Sequence, residues 1–580
     1  MKCLNFFRTL RTVYECSGLL FVLNIILVVI SGFLTGINVY SIQVLANGIQ
    51  SAVSSGTSIW NSMNLFLGIN IVLILMQNTR GYVGQRIAIE LDYKLENIFL
   101  AKCTTLPLKD FENENTYDLL MKANELGKTK ILDIFFNFLQ LIECILSMIS
   151  VSAVLINIDG FLWSLIVIVP IISTVTSIKI GRYIYGKEKK NVIYQRKSDY
   201  INYLLTNNIA IKEIISFNVS DYLIQEYKRY KRIIKSTNYK IINLQVIKST
   251  LIMVLEIVAK IFFVMATVIK TIKTGGMIGD VMGFIYSLDI IESKISIILS
   301  SITEIYRSKL YVDNYYDFID KKTNNNDEMI RGSKINIKNI TIRNLGFSYN
   351  ANNIKELKNI NIEIGVNNII AIVGANGAGK STLIKILSGL YDDYTGSIFI
   401  NDVDLSKIDK KTYRERITVI FQDFNKYELR LRENIAFSNV KEINNDQRIY
   451  KVMCDVGLSN LIDSLDKGID SQMGNWFGGR ELSKGQWQRI ALARVLFRDA
   501  DMIILDEPTS ALDPIMEREI FDMINEISKD KILILVTHRV ENLKKYNPLY
   551  VFMEKGEIVD KGFFENIKDK DVYKRLIGIK

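Results

Sequence analysis

Six apolar stretches within the first 300 residues constrain this chain more than any other feature. They cover residues 19–40, 59–76, 131–156, 161–178, 251–272 and 277–299. Each reaches or approaches the ~20 residues that carry a helix across ~30 Å of hydrocarbon. A buried soluble core explains one such run but not six, so the first 320 residues read as a membrane domain of six spanning helices.

The polar residues between these stretches sort by sign. Residues 1–320 carry 32 Lys+Arg against 25 Asp+Glu, and the rest of the chain 40 against 37. The segments 41–58 and 157–160 have no Lys or Arg, whereas residues 79–130 hold eight and residues 179–240 fourteen. Basic loops favour the cytoplasmic side, which places both long connections and both termini there. Membrane topology therefore accounts for the net charge of +10, and no nucleic-acid partner is needed. Ahead of the first stretch, Lys2, Arg8 and Arg11 lie among Leu4, Phe6, Phe7 and Leu10, the pattern of an amphipathic entry helix. A signal peptide is the rival reading, but the apolar run that follows is too long and shows no small-residue cleavage site.

The long connections read as helical. Ile87, Leu91, Leu95 and Ile98 recur at helical spacing, and no proline intervenes before Pro107. Residues 111–118 and 210–217 are candidate points where such helices turn back. Inside the spans, Glu143, Glu256, Lys260, Asp289 and Glu292 are ionisable and should face protein or water. Glu256 and Lys260 stand i, i+4 and are expected to pair. Asp289 and Glu292 lack an evident partner and are the candidates for a cavity wall. Cys3, Cys16, Cys103, Cys144 and Cys454 have no metal spacing and read as reduced packing residues, and His538 is the single histidine.

A polar, Asn-rich linker at 321–335 ends the membrane domain, and residues 336–580 alternate strand-like and helix-like runs, which indicates α/β. There Gly374-Ala-Asn376-Gly377-Ala-Gly379-Lys380-Ser381-Thr382 follows an apolar strand and opens a helix. That is the setting of a phosphate-binding loop, in which turned backbone N–H groups and a helix N-terminus cradle polyphosphate. Lys380 would reach the outer phosphates, and Ser381 would help hold Mg2+. The strand 501–505 delivers Asp506 toward the same metal, followed by Glu507, a carboxylate able to orient or deprotonate water. Tyr349 could stack on a purine, and Gln422 follows another apolar run. His538 ends a strand, where ligands sit in α/β sheets. Ser483, Gly485 and Gln486 lie at the start of an amphipathic helix suited to an anion.

In this order and spacing, residues 336–580 resemble the nucleotide-binding domain of ATP-binding cassette proteins. The aromatic Tyr349, the phosphate loop, the glutamine Gln422, the signature Leu482-Ser-Lys-Gly-Gln486, Asp506 with Glu507, the loop Ser510-Ala-Leu-Asp513 and the histidine His538 carry the likeness. With six spans ahead of one cassette, the whole chain resembles an exporter half-transporter. The implied fold is a membrane all-α six-helix transmembrane domain followed by an α/β P-loop ATPase domain.

The resemblance implies ATP and Mg2+ as cofactors, with Ser381, Gln422 and Asp506 at the metal. It makes Glu507 the base and His538 a contact to the γ-phosphate. It also implies a dimer in which Ser483 and Gly485 of one chain cap the nucleotide held by the other, and turn-back segments that couple cassette to spans. One departure is Lys484, at a position that is glycine in the family consensus. Ser483, Gly485, Glu507 and His538 are intact, which favours a homodimer with two working sites over an unequal pair. Residues 474–489 look most like cassettes of bacterial exporters for lanthipeptides and related peptides, so a peptide cargo is expected, with a lipid or drug exporter as the alternative and an ATP-gated channel behind it. No peptidase is expected ahead of the first span, since a Cys/His pair is not available there.

Overall fold

A computed structural model describes residues 4–166, 186–187, 191, 193–208, 210–321, 335–349, 356–509, 513–537 and 540–570. The chain divides into two units, Met1–Leu106 with Asn113–Lys322, and Pro107–Glu112 with Thr323–Lys580.

The first unit is helical, as its apolar runs require. Helix α1 spans Leu4–Ser55, with non-helical backbone at Ser17 (φ −133°, ψ 20°), so the amphipathic entry segment and the first apolar stretch form one kinked rod. Helix α2 spans Trp60–Thr105 and continues well past its apolar stretch. Val83, Ile87, Leu91, Leu95 and Phe99 form its buried stripe; Ile87, Leu91 and Leu95 are as read from the sequence, but Phe99 takes the place expected of Ile98, which is exposed. Leu108–Glu112 (α3) and Glu114–Lys122 (α4) are short, and α5 spans Lys128–Ile166. After it come α6 (Ala210–Ser216), α7 (Ser220–Thr274) and α8 (Ile278–Ile319).

Among the described residues, three helices are long and apolar enough to cross a membrane, in Asn5–Ser55, Trp60–Thr105 and Lys128–Leu155. The fifth and sixth apolar stretches lie in α7 and α8, and most of the fourth lies outside the described residues. The turn expected at 157–160 is not found there, because α5 runs on to Ile166. That segment contains no proline, and its single glycine costs a helix only about 1 kcal/mol.

Close approach of α1 to α5 depends on two glycines. A Cβ at Gly32 would stand 2.7 Å from that of Leu146, and one at Gly36 2.7 Å from the Ser150 backbone. Ser150 Oγ fills the seam, donating to the Gly32 carbonyl (3.0 Å) and accepting from Gly36 N–H (3.1 Å). At the far end of α1, Asn47 and Gln50 accept from the N–H groups of Gly279 and Ile278, which caps the start of α8.

The ionisable residues of the spans pair differently from expectation. Lys260 reaches Asp289 on the facing helix, so Asp289 is not an unpartnered carboxylate. The Glu256 side chain lies outside the described residues, and Glu292 engages another residue. Antiparallel packing of α7 on α8 brings a carboxylate as near as the i, i+4 position does, which spacing along one helix does not reveal.

In the second unit, strands β1 (Asn339–Phe347), β2 (Leu357–Gly365), β4 (Thr395–Ile400) and β5 (Val403–Asp404) form an antiparallel sheet of order β2-β1-β4-β5. A six-stranded sheet of order β10-β9-β3-β8-β7-β6 combines β3 (Ile369–Val373), β6 (Ile417–Ile420), β7 (Met502–Asp506), β8 (Ile532–Val536), β9 (Leu549–Glu554) and β10 (Glu557–Gly562). Its strands β9, β3, β8, β7 and β6 run parallel. Strands β7 and β8 are buried throughout, as their uninterrupted aliphatic sequences require of a sheet covered on both faces. Parallel order sends the carboxyl ends of β3, β8, β7 and β6 to one edge, where α/β sheets bind ligands.

Candidate active site

The phosphate loop leaves that edge after Val373 and enters helix α9 (Lys380–Leu387). Gly377 (φ +79°) and Gly379 (φ +96°) take left-handed backbone, and a Cβ at Gly374 would collide with the Met553 carbonyl. The loop therefore closes only with glycine at these points. Asn376 and Gly377 are exposed at its crest. Lys380 is buried and donates from Nζ to the carbonyls of Gly374 (2.7 Å) and Ala375 (3.0 Å). Burial holds its ammonium below the usual lysine range, opposed by the charges of Glu507 and Asp506.

Next along the edge, Asp506 ends β7 and is buried, and the Ser381 hydroxyl donates to it at 3.2 Å. Burial, with Glu507 and Asp423 nearby, pushes its carboxyl above the ordinary range despite that bond. A buried acid that disfavours its own charge, beside a hydroxyl and other oxygen donors, suits a hard divalent cation completed by phosphate and water. Among the described residues, no group of three His, Cys, Asp or Glu could hold a metal unaided. Mg2+ binding at such an edge leans on the substrate's oxygens, so the residues present fit it.

Glu507 sits in left-handed backbone (φ +49°), a conformation that costs a non-glycine residue of order 1 kcal/mol. Two bonds hold it there: its N–H donates to the Val536 carbonyl (3.0 Å), and Gln488 Nε2 donates to its carbonyl (3.3 Å). Gln422, two residues beyond β6, donates from Nε2 to Glu507 Oε2 at 2.9 Å. The phosphate loop, Asp506, Glu507 and Gln422 thus converge through bonded contacts. His538 and residues 510–512 lie outside the described residues.

The signature stands apart from this group. Ser483 caps helix α10 (Lys484–Phe497), accepting from Gln486 N–H (3.2 Å) while Gln486 Oε1 accepts from Ser483 N–H (2.9 Å). Ser483 and Lys484 are exposed and Gly485 is half-buried. Among the described residues, no hydrogen bond joins Ser483, Gly485 or Gln486 to the phosphate loop. Among the described residues, α10 reaches the site from its buried face, through Gln488.

Tyr349 is half-buried, its hydroxyl 3.2 Å from Thr382 Oγ1 and its ring edge-on to Phe347 and Tyr391. Tyr391 was not evident from the sequence. Its hydroxyl donates to Glu112, which also accepts from Lys385 at 3.2 Å, and Lys109 pairs with Asp393. Residues 107–112 therefore cluster with the second unit, slightly earlier than the expected 111–118, of which only Phe111 and Glu112 belong to it.

Residues 357–510 match the family model described as ABC transporter. The chain is 32% identical over 582 residues to the subtilin transport ATP-binding protein of Bacillus subtilis, covering 98% of this chain and 93% of that one. It is 31% identical over 574 residues to the nisin transport ATP-binding protein of Lactococcus lactis subsp. lactis, covering 96% and 94%. A solved bacterial Atm1-family ABC exporter with ATP bound shares its fold, with a TM-score of 0.78 at 19% identity over 96% of this chain and 97% of that one.

Proposed function

Because the chain belongs to the ABC transporter family, as an exporter half-transporter of the cytoplasmic membrane whose cassette couples ATP hydrolysis to transport, we propose that it exports a peptide and works as a homodimer. The observation that carries the cargo class is the end-to-end likeness to two relatives named for subtilin and nisin transport. In this reading residues 1–320 supply six spans, residues 321–335 the linker and residues 336–580 the cassette, on the cytoplasmic side.

At the nucleotide, Lys380 and the loop N–H groups bind the outer phosphates, and Tyr349 offers its ring to the base. Ser381, Asp506 and Gln422 would hold Mg2+, which would neutralise phosphate charge. Glu507 takes the proton of the attacking water, and His538 contacts the γ-phosphate. Ser483 and Gly485 complete the site from the second copy. Residues 107–112 join α2 to α4 in sequence and bond to Tyr391 and Lys385, so a movement of the nucleotide edge is passed to the chain leading into the spans.

The test is uptake into proteoliposomes with the cassettes facing outward, comparing peptides, lipids and drugs as cargo. ATP-dependent accumulation of a peptide, lost in Glu507→Gln, is expected. Accumulation of lipids or drugs with no peptide uptake would overturn the cargo assignment.

A further inference from the structure

Away from the nucleotide, one cluster of charge in the membrane unit does not balance. Glu143 on α5 accepts from Arg80 Nη1 on α2 and lies 3.5 Å from Lys294 Nζ on α8. Three helices thus converge on one carboxylate. Two cations share it, and the other acids of α8 do not make up the difference. Asp289 is held by Lys260, and Glu292 engages a different residue. Among the described residues, Glu143 is the only hydrogen-bonding or ion-pairing partner of Arg80 and of Lys294.

The cluster is neither sealed nor freely solvated. Side-chain exposure is 28% at Arg80 and 17% at both Glu143 and Lys294. A guanidinium offers five N–H donors and an ammonium three, so most of this donor capacity is unspent. Glu143 lies near the middle of the third apolar stretch, Lys294 within the sixth, and Arg80 about one helical turn beyond the second. An excess positive charge at that depth is costly unless an anion or water meets it.

We propose that Arg80 and Lys294 form a subsite for a carboxylate carried by the cargo, with Glu143 as the resident acid that holds the two cations together. The proposal rests on the peptide-export reading above. The guanidinium fork suits a planar carboxylate, and Lys294 adds a point charge beside it. Peptides bearing Asp or Glu are favoured, and cationic ones are disfavoured by like charge.

The test uses the full-length protein in phosphatidylcholine vesicles and two amphipathic peptides, alike except that glutamates on the polar face of one are glutamines in the other. The glutamate peptide should stimulate ATP hydrolysis and be taken up at a roughly tenfold lower concentration. Lys294→Gln should erase that preference. Glu143→Gln should enlarge it, because both cations are released. Equal potency of the two peptides on the unaltered protein, or a preference that survives Lys294→Gln, overturns the proposal. So does a Glu143→Gln protein that answers both peptides equally weakly, which would make the cluster a helix-to-helix pin. In vesicles containing phosphatidylglycerol the preference should persist. If that lipid alone stimulates hydrolysis and abolishes the preference, the subsite takes a lipid phosphate and the cargo assignment is overturned. Uptake of neither peptide while ATP hydrolysis is intact overturns the peptide-export reading, and the subsite falls with it.

Discussion

The side-chain amide of Gln422 donates a 2.9 Å hydrogen bond to the carboxylate of Glu507. Donor and acceptor follow the neighbouring parallel strands β6 and β7, so the bond spans the edge on which the phosphate loop also opens. It aims the carboxylate along the edge, while the left-handed backbone of Glu507 and the Gln488 bond fix where the side chain starts.

Replacing Glu507 by Gln keeps the size of the side chain and removes its ability to take a proton. Turnover is expected to fall at least ~100-fold, the low end of what a general base contributes. Nucleotide binding should persist, because Lys380 and the loop N–H groups are untouched. Steady-state hydrolysis and binding of a fluorescent ATP analogue, measured on the same preparation, check this. Hydrolysis near the normal rate would remove Glu507 from the role of base.

Asp506 gives a pH-dependent prediction. Its folded-state carboxyl is raised above its unfolded value by burial first and then by Glu507 and Asp423. Above the folded value the ionised carboxylate costs stability; the cost declines as pH falls through that value and is gone below the unfolded one, near 4. Asp506→Asn should therefore raise the melting temperature of the nucleotide-free protein by a few degrees at neutral pH. The gain should shrink toward nothing as the pH is lowered to about 4. With ATP and Mg2+ the order should reverse if Asp506 binds the metal as proposed, since the variant would then lose a ligand. Calorimetry across pH, with and without MgATP, reads both effects.

The parts of this site that were legible in the sequence are those set by local chemistry. The phosphate loop announces itself because Gly377 and Gly379 are needed for left-handed turns and a helix must follow at Lys380. Asp506 could be placed because an all-aliphatic strand leads to it. Pairings across elements could not, because they depend on register between distant segments. Lys260 finds Asp289 on a facing helix, Arg80 and Lys294 share Glu143, and Tyr391 meets Glu112. Gln488 was hidden for the same reason. Within a signature helix it looks like one more polar position, yet it is buried and bonded to the Glu507 carbonyl.

Tyr349 separates a nucleotide-binding role from a packing one. Its ring lies against Phe347 and Tyr391, while its hydroxyl meets Thr382 beside the phosphate loop. Base stacking on an aromatic ring is worth about 1–3 kcal/mol by alanine substitution. Tyr349→Ala should weaken ATP binding roughly tenfold, about 1.4 kcal/mol, whereas Tyr349→Phe should change it little. Titration calorimetry with ATP and with inorganic triphosphate gives the reading. A loss seen equally with both ligands would show that the ring supports the loop instead of the base.

The exposed signature yields the most discriminating prediction. Ser483 and Lys484 face solvent at the start of α10, and within one chain no described hydrogen bond carries that end to the phosphate loop. If the site forms between copies, Lys380→Ala and Ser483→Arg should each abolish hydrolysis in a homodimer. A mixed dimer of the two variants behaves differently, because two-fold symmetry makes two sites. One site combines both damaged elements, and the other combines the intact phosphate loop of the Ser483→Arg chain with the intact signature of the Lys380→Ala chain. Co-expressed chains with different tags, purified in sequence for both, should regain up to about half the unaltered rate. A mixed dimer no more active than either parent would place the signature's partner within its own chain.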